Sequence, residues 1–139
     1  MEKSAVKRIT ESFAAQSMMT TLGAELSEIT AGLVRITAPI LPGSRQHQGF
    51  GHAGLTFALG DSAAGYAALT MLPLDQEVVT AEIKINLLAP ARGDLLIATG
   101  RVIKPGKRLS VVTAEVHAEE DGKQTLIAVL QGTMVPVPC

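Results

Sequence analysis

One charged residue stands out in this chain: Asp61, the only charge in the otherwise apolar and small-residue stretch from Leu55 to Leu72. An ionised carboxylate in an apolar interior costs several kcal/mol unless it is partnered. The positions one helical turn away are Phe57, Ala58, Ala64 and Gly65, and none is a cation. A partner must therefore come from another segment, another chain, a water or a ligand. Two readings follow: a structural carboxylate accepting hydrogen bonds from backbone or from neighbours such as Ser62, or a carboxylate placed to act as base or nucleophile. Nine residues upstream, Gly51-His52-Ala53-Gly54 leads into the same stretch. If a helix starts there, its first N–H groups are unpaired and lie at the positive end of the dipole. A carbonyl oxygen set against the N–H of Ala53 or Gly54 would be polarised, which is the electrostatic requirement for acyl transfer. His52 alone carries little weight, since a lone histidine beside glycines commonly serves a turn.

The elements that must position these groups read as one short helix, two strands, a long helix and four strands. Val6, Ile9, Phe13 and Ala14 fall at helical spacing within Ser4 to Ser17, predicting an amphipathic helix. Leu26 to Ile40 alternates as two extended runs split at Ala31-Gly32. The turn-rich tract from Pro42 to His52 then forms a binding loop ahead of the long helix, which is apolar on nearly all sides and must be buried. After Pro73 the pattern alternates again over Glu77 to Leu88, Asp94 to Lys104, Leu109 to Glu119 and Thr125 to Val135. The turns Pro105-Gly106-Lys107 and Asp121-Gly122-Lys123 are short enough for hairpins. The economical architecture is α+β: one domain over residues 1–139 in which a curved antiparallel sheet wraps a central helix. The small residues Ala58, Gly60, Ala63, Ala64, Gly65, Ala67 and Ala68 allow the sheet to approach that helix closely. Asp61 in mid-helix and the absence of a basic flank argue for burial in protein rather than in lipid.

Bulk properties narrow the function further. Twelve Lys and Arg balance 13 Asp and Glu, for a formal net charge of −1, without the basic footprint of nucleic-acid binding. With 3% aromatic residues there is no stacking platform for bases. The single cysteine, Cys139, permits neither an intrachain disulfide nor a cysteine metal cluster, and the histidines at 47, 52 and 117 share no ligand spacing. No metal or other cofactor is expected. The start, Met1 to Arg8, is charged and lacks a following apolar run, so the expected location is the cytoplasm.

Four blocks in order, His52-Ala53-Gly54, Leu59 to Ala68 around Asp61, Val79 to Ala91, and Gly100-Arg101-Val102, resemble the phenylacetate-degradation (PaaI-like) hotdog thioesterases. The resemblance runs from about residue 20 to the end. It implies a hotdog fold, with five to six strands around one helix, and hydrolysis of acyl-CoA thioesters, coenzyme A being part of the substrate rather than a cofactor. It further implies Asp61 as base or nucleophile, the Ala53 N–H as main oxyanion donor with Gly54 beside it, and His52 as loop organiser or minor contact. Thr80 matches a hydroxyl that helps place the attacking water. Gln46 lies where relatives have an asparagine that touches the thioester or water, and Gln48 competes for that role. Asn86 falls in the matching block and is carried over as a substrate contact; Lys107 and Arg108, in the turn Lys104 to Arg108, are the candidates for the CoA phosphates. Ala53 departs from the usual glycine of a His-Gly-Gly loop, a change that keeps the N–H but narrows the space around it. The family works as a dimer joined sheet edge to sheet edge, often paired again into a tetramer, with each site built from both subunits. Two rivals remain: a 3-hydroxyacyl-CoA dehydratase of the same fold, whose His-Phe-Pro-type loop is missing here, and a non-catalytic acyl-CoA binding module.

Overall fold

In the computed structural model, which describes all of residues 1–139, one long helix lies across a single six-stranded sheet. The chain runs α1 (Lys3–Ala15), α2 (Ser17–Leu22), β1 (Glu25–Thr30), β2 (Leu33–Pro39), a short 3-10 turn (Pro42–Ser44), α3 (Ala53–Leu69), β3 (Gln76–Leu87), β4 (Leu95–Lys104), β5 (Ser110–Glu120) and β6 (Lys123–Pro138). Every strand pair is antiparallel, and the order across the sheet is β1-β2-β4-β5-β6-β3. The α+β sheet around a central helix expected from the alternation pattern is observed, and so is the hotdog fold that the resemblance implies, with six strands.

The core forms where the alternating apolar residues of β2, β4, β5 and β6 meet α3. Val34, Ile36, Leu96, Val112, Val116 and Ile127 are all buried, as are Leu59, Ala63, Ala64, Ala67, Ala68 and Leu69 from the helix. Close approach depends on Gly100 in β4: a Cβ there would stand 2.3 Å from the backbone of Ala63. The helix therefore sits on the strand with no room for a side chain between them.

The N-terminal helical stretch differs from the sequence pattern in one respect. It breaks at Gln16, whose extended backbone (φ −80, ψ 98) separates α1 from a second helix, α2, that ends on left-handed Gly23. Of the Met18-Met19 pair, Met19 is core and Met18 is exposed. Arg8 does more than decorate a polar face. Its guanidinium donates to the carbonyls of Leu69, Leu72, Pro73 and Gln76 at 2.8 to 3.0 Å, tying the C-terminal end of α3 to the turn that leads into β3. The α-helix ends at Leu69 rather than at Leu72: Thr70 N–H still donates to Tyr66, but the N–H groups of Met71 and Leu72 tighten onto the carbonyls of Ala68 and Leu69, and Thr70 turns its hydroxyl back onto Ala67. No helix is long and apolar enough to cross a membrane.

Candidate active site

Asp61 lies on a half-buried stripe of α3, on the side of the sheet's edge strand β3. Phe57, Ala58, Asp61, Ser62 and Gly65 are half-buried, while the opposite face of the helix is sealed in the core. The carboxylate has a single hydrogen-bond partner in the chain: Thr80 Oγ1 donates to Asp61 Oδ1 at 2.8 Å. Thr80 Oγ1 also lies 3.3 Å from Met134 Sδ, but its one proton belongs with the charged acceptor, which forms the stronger bond. Ser62 and the helix backbone leave the carboxylate alone, so the purely structural reading of Asp61 lacks its required partners.

Thr80 reaches Asp61 because β3 carries a bulge. Thr80 pairs with Met134 and Glu82 with Thr133, leaving Ala81 as the extra residue. Such an insertion shifts the alternation by one. Before it, the inward positions are Val78 and Thr80; after it they are Ile83 and Ile85. Without the bulge, the hydroxyl at residue 80 and the apolar pair at 83 and 85 could not share one face.

Next to the carboxylate is a cavity of about 350 Å³ whose lining includes Asp61, Thr80, Met134, Ser12, Gln16 and Tyr66. Ser12, Gln16 and Tyr66 escaped the reading of the sequence. Polar side chains four residues apart on a helix normally face solvent, and only the docking of α1 beside α3 reveals a different destination.

At the other end of α3, His52 caps the helix: its Nδ1 accepts the Gly54 N–H at 2.7 Å, and its own N–H donates to the Ser44 carbonyl at 2.9 Å. One of the two proposed donors, Gly54 N–H, is thereby occupied. The Ala53 N–H has no partner and lies exposed, beside a second concavity of about 570 Å³ formed by the loop and by Leu87 to Ala91. Gln46 is spent within the loop. Its Oε1 accepts from the backbone of Gln48 and Phe50, and its Nε2 donates to Gln48 Oε1 at 3.1 Å.

The remaining candidates are dispersed. Asn86 follows the bulge with Glu82 and Lys84 and faces the outer surface of the sheet, away from α3. Lys107 and Arg108 are exposed at the β4–β5 hairpin, where Lys107 borders a groove with Leu72, Pro73 and Gln76 near the C-terminal end of α3. Within one chain Asp61 and the Ala53 N–H are themselves separated by eight residues of helix, about 12 Å of rise. That is too far for both to touch one thioester.

Comparison with known proteins identifies the family and the fold. Residues 48–125 match the family model described as the thioesterase superfamily. A Saccharolobus solfataricus protein named as an esterase is 31% identical over 130 residues, covering 94% of this chain and 84% of that protein. The 1,4-dihydroxy-2-naphthoyl-CoA hydrolase of Listeria monocytogenes is 27% identical over 101 residues, covering 73% of this chain and 82% of that protein. Among solved structures, a thioesterase family protein from Silicibacter pomeroyi superposes with a TM-score of 0.95 at 36% identity, covering 97% of this chain and 99% of that one. The PaaI protein of Escherichia coli shares the fold, with a TM-score of 0.86 at 22% identity over 96% of this chain and 93% of its own.

Proposed function

The chain belongs to the thioesterase superfamily, and from that membership we propose that it hydrolyses acyl-CoA thioesters, with Asp61 acting at the thioester carbon and the Ala53 N–H of a second copy holding the thioester oxygen. The observation that carries the reading is the state of Asp61. It is a carboxylate on an otherwise apolar helix, open to a cavity and bound in the chain by Thr80 alone.

In the proposed reaction, Asp61 takes a proton from a water that attacks the carbonyl carbon. Charge develops on the carbonyl oxygen, where an N–H fixed at a helix start stabilises it without reorganising. The C–S bond then breaks, the thiolate leaves as coenzyme A and is protonated, and the free acid is released. Thr80 donates its proton to Asp61 Oδ1 and so can still accept one from the attacking water. Direct attack by Asp61, through a mixed anhydride, uses the same groups.

Distance supports the second copy, since one helix cannot bring its own residue 53 to its own residue 61. β3 offers the means. It is a 12-residue edge strand without proline whose free side has no partner in the chain, and Val79 and Leu87 on it are 50% and 56% exposed. Long exposed edges of this kind are templates for pairing with another chain. Two β3 edges joined antiparallel about a twofold axis would lay the half-buried stripes of two α3 helices together, in opposite directions. Each Asp61 would then face the partner's loop.

Thiol release from a panel of acyl-CoA esters tests the proposal. Turnover is expected, with kcat lowered about 10²- to 10⁴-fold in Asp61→Asn while the fold is retained. Saturable ester binding without thiol release would point instead to a binding module, and hydration of an enoyl-CoA to a dehydratase.

A further inference from the structure

Thr80 Oγ1 carries one proton and stands between two acceptors. Asp61 Oδ1 is 2.8 Å away and Met134 Sδ 3.3 Å, and no other group of the chain hydrogen-bonds to this hydroxyl. A hydroxyl proton turns about the Cβ–Oγ bond, so either acceptor can be served without moving a heavy atom. Met134 is firmly placed for its part. It pairs with Thr80 across β3 and β6 and with Ser110 across β5 and β6. Its side chain is fully buried, and its methyl group lies beside Gly65, one turn beyond Asp61 on α3. Thr80 is the one donor in the chain that reaches its sulfur.

The two acceptors change rank when Asp61 changes charge. As a carboxylate, Asp61 forms a charge-assisted bond roughly twice as strong as a neutral one, and it takes the proton. The thioether, a weak acceptor, waits. Once Asp61 has drawn a proton from the attacking water, it is a neutral acid with an O–H of its own to place. With the Thr80 proton turned to the sulfur, a proton held at Asp61 Oδ1 points at Thr80 Oγ1 over the same 2.8 Å, and the direction of donation along the pair reverses. Without the sulfur, the hydroxyl could accept from the acid only by leaving its own proton unpaired, in a site from which bound substrate displaces water.

We propose that Met134 is a positioning residue of this reaction: its sulfur receives the Thr80 proton while Asp61 is protonated, so that one hydroxyl donates to the carboxylate and accepts from the acid. The proposal rests on the hydrolase reading above, and within it on Asp61 acting as the base. No covalent bond changes at Met134, and no proton leaves Thr80. One proton passes from water to Asp61 and later to the departing thiolate. As the carboxylate is restored, the hydroxyl turns back to Asp61 Oδ1. Met134 thus acts on Asp61 through Thr80, easing the state in which the base holds its proton.

A double-variant cycle tests it. Met134→Leu removes the sulfur and keeps the apolar volume, a swap that buried sites tolerate. Thiol release from a panel of acyl-CoA esters is measured for the wild type, Met134→Leu, Thr80→Val and the double variant, with thermal unfolding recorded for each. Met134→Leu is expected to lower kcat about fivefold, the worth of one neutral hydrogen bond, with KM changed by less than about twofold. In the Thr80→Val background the same substitution is expected to change kcat by less than about 1.5-fold, because the sulfur no longer has a hydroxyl to serve. If Met134→Leu fails to fold, replacing methionine throughout with norleucine exchanges each sulfur for a methylene and gives the same comparison, Met134 being the one methionine whose sulfur takes part in a hydrogen bond. An unchanged kcat, a loss confined to KM, or an equal loss with and without the Thr80 hydroxyl, as packing alone would produce, overturns the proposal and leaves the hydrolase reading standing. Release of thiol from none of the esters by the wild-type protein overturns both.

Discussion

Replacing Thr80 with valine removes one hydroxyl and keeps the shape and strand preference of the residue. In the native chain that hydroxyl is the sole protein partner of Asp61, at 2.8 Å. A hydrogen bond to a charged group contributes about 1.5–3 kcal/mol. If it fixes the carboxylate and the attacking water in the transition state, its loss lowers kcat about 10- to 100-fold. Folding changes far less: Asp61 is half-buried beside a cavity that admits water, so solvent replaces the lost donor, and the expected destabilisation is under about 1 kcal/mol. The assay is thiol release under saturating ester, paired with thermal unfolding of the same preparation. Thr80→Ser restores the hydroxyl without the methyl group and is expected to recover most of the lost rate. An unchanged kcat in Thr80→Val, or a serine variant as slow as the valine one, would refute the role assigned to this contact.

Two further substitutions probe the frame around the site. Ala53→Pro deletes the one free N–H at the start of α3, at a helix position where proline is favoured, after a His52 backbone (φ −65, ψ 145) already suited to precede it. Stability should be preserved while kcat drops about 10²- to 10³-fold; an active Ala53→Pro protein would remove this donor from the mechanism. Gly100→Ala drives a Cβ to 2.3 Å from the Ala63 backbone, forcing α3 off the sheet. A loss of about 3 kcal/mol or more in denaturant unfolding is expected, and a variant of native stability would show the contact to be softer than the geometry requires.

The strands were legible because alternation is a local property: β1, β2, β4 and β5 begin and end within a residue or so of the pattern. β6 extends past it, through Pro136 to Pro138, because beyond Met134 its one neighbour is β3, and a strand tolerates proline where one side is unpaired. Asp61 was legible as a lone charge among apolar residues, and the loop as a run of turn formers. Its partner was legible only through resemblance, because the bulge at Ala81 that turns Thr80 inward leaves no mark in the local pattern. Asn86, six residues further along the same strand, faces the opposite side for the same reason. The break at Gln16, the Arg8 clamp and the Ser12, Gln16 and Tyr66 cluster all depend on contacts across 50 or more residues. Local periodicity cannot carry those.

Subunit complementation tests the account most directly, because it asks whether Asp61 and the Ala53 N–H meet across two chains. Asp61→Asn and Ala53→Pro proteins, each nearly inactive, are mixed under conditions in which gel filtration and mass spectrometry verify exchange of subunits. Every mixed dimer then holds one site with both groups intact, and the mixture should regain about a quarter of wild-type activity. Activity no greater than that of the separate variants, with exchange verified, would contradict the shared site.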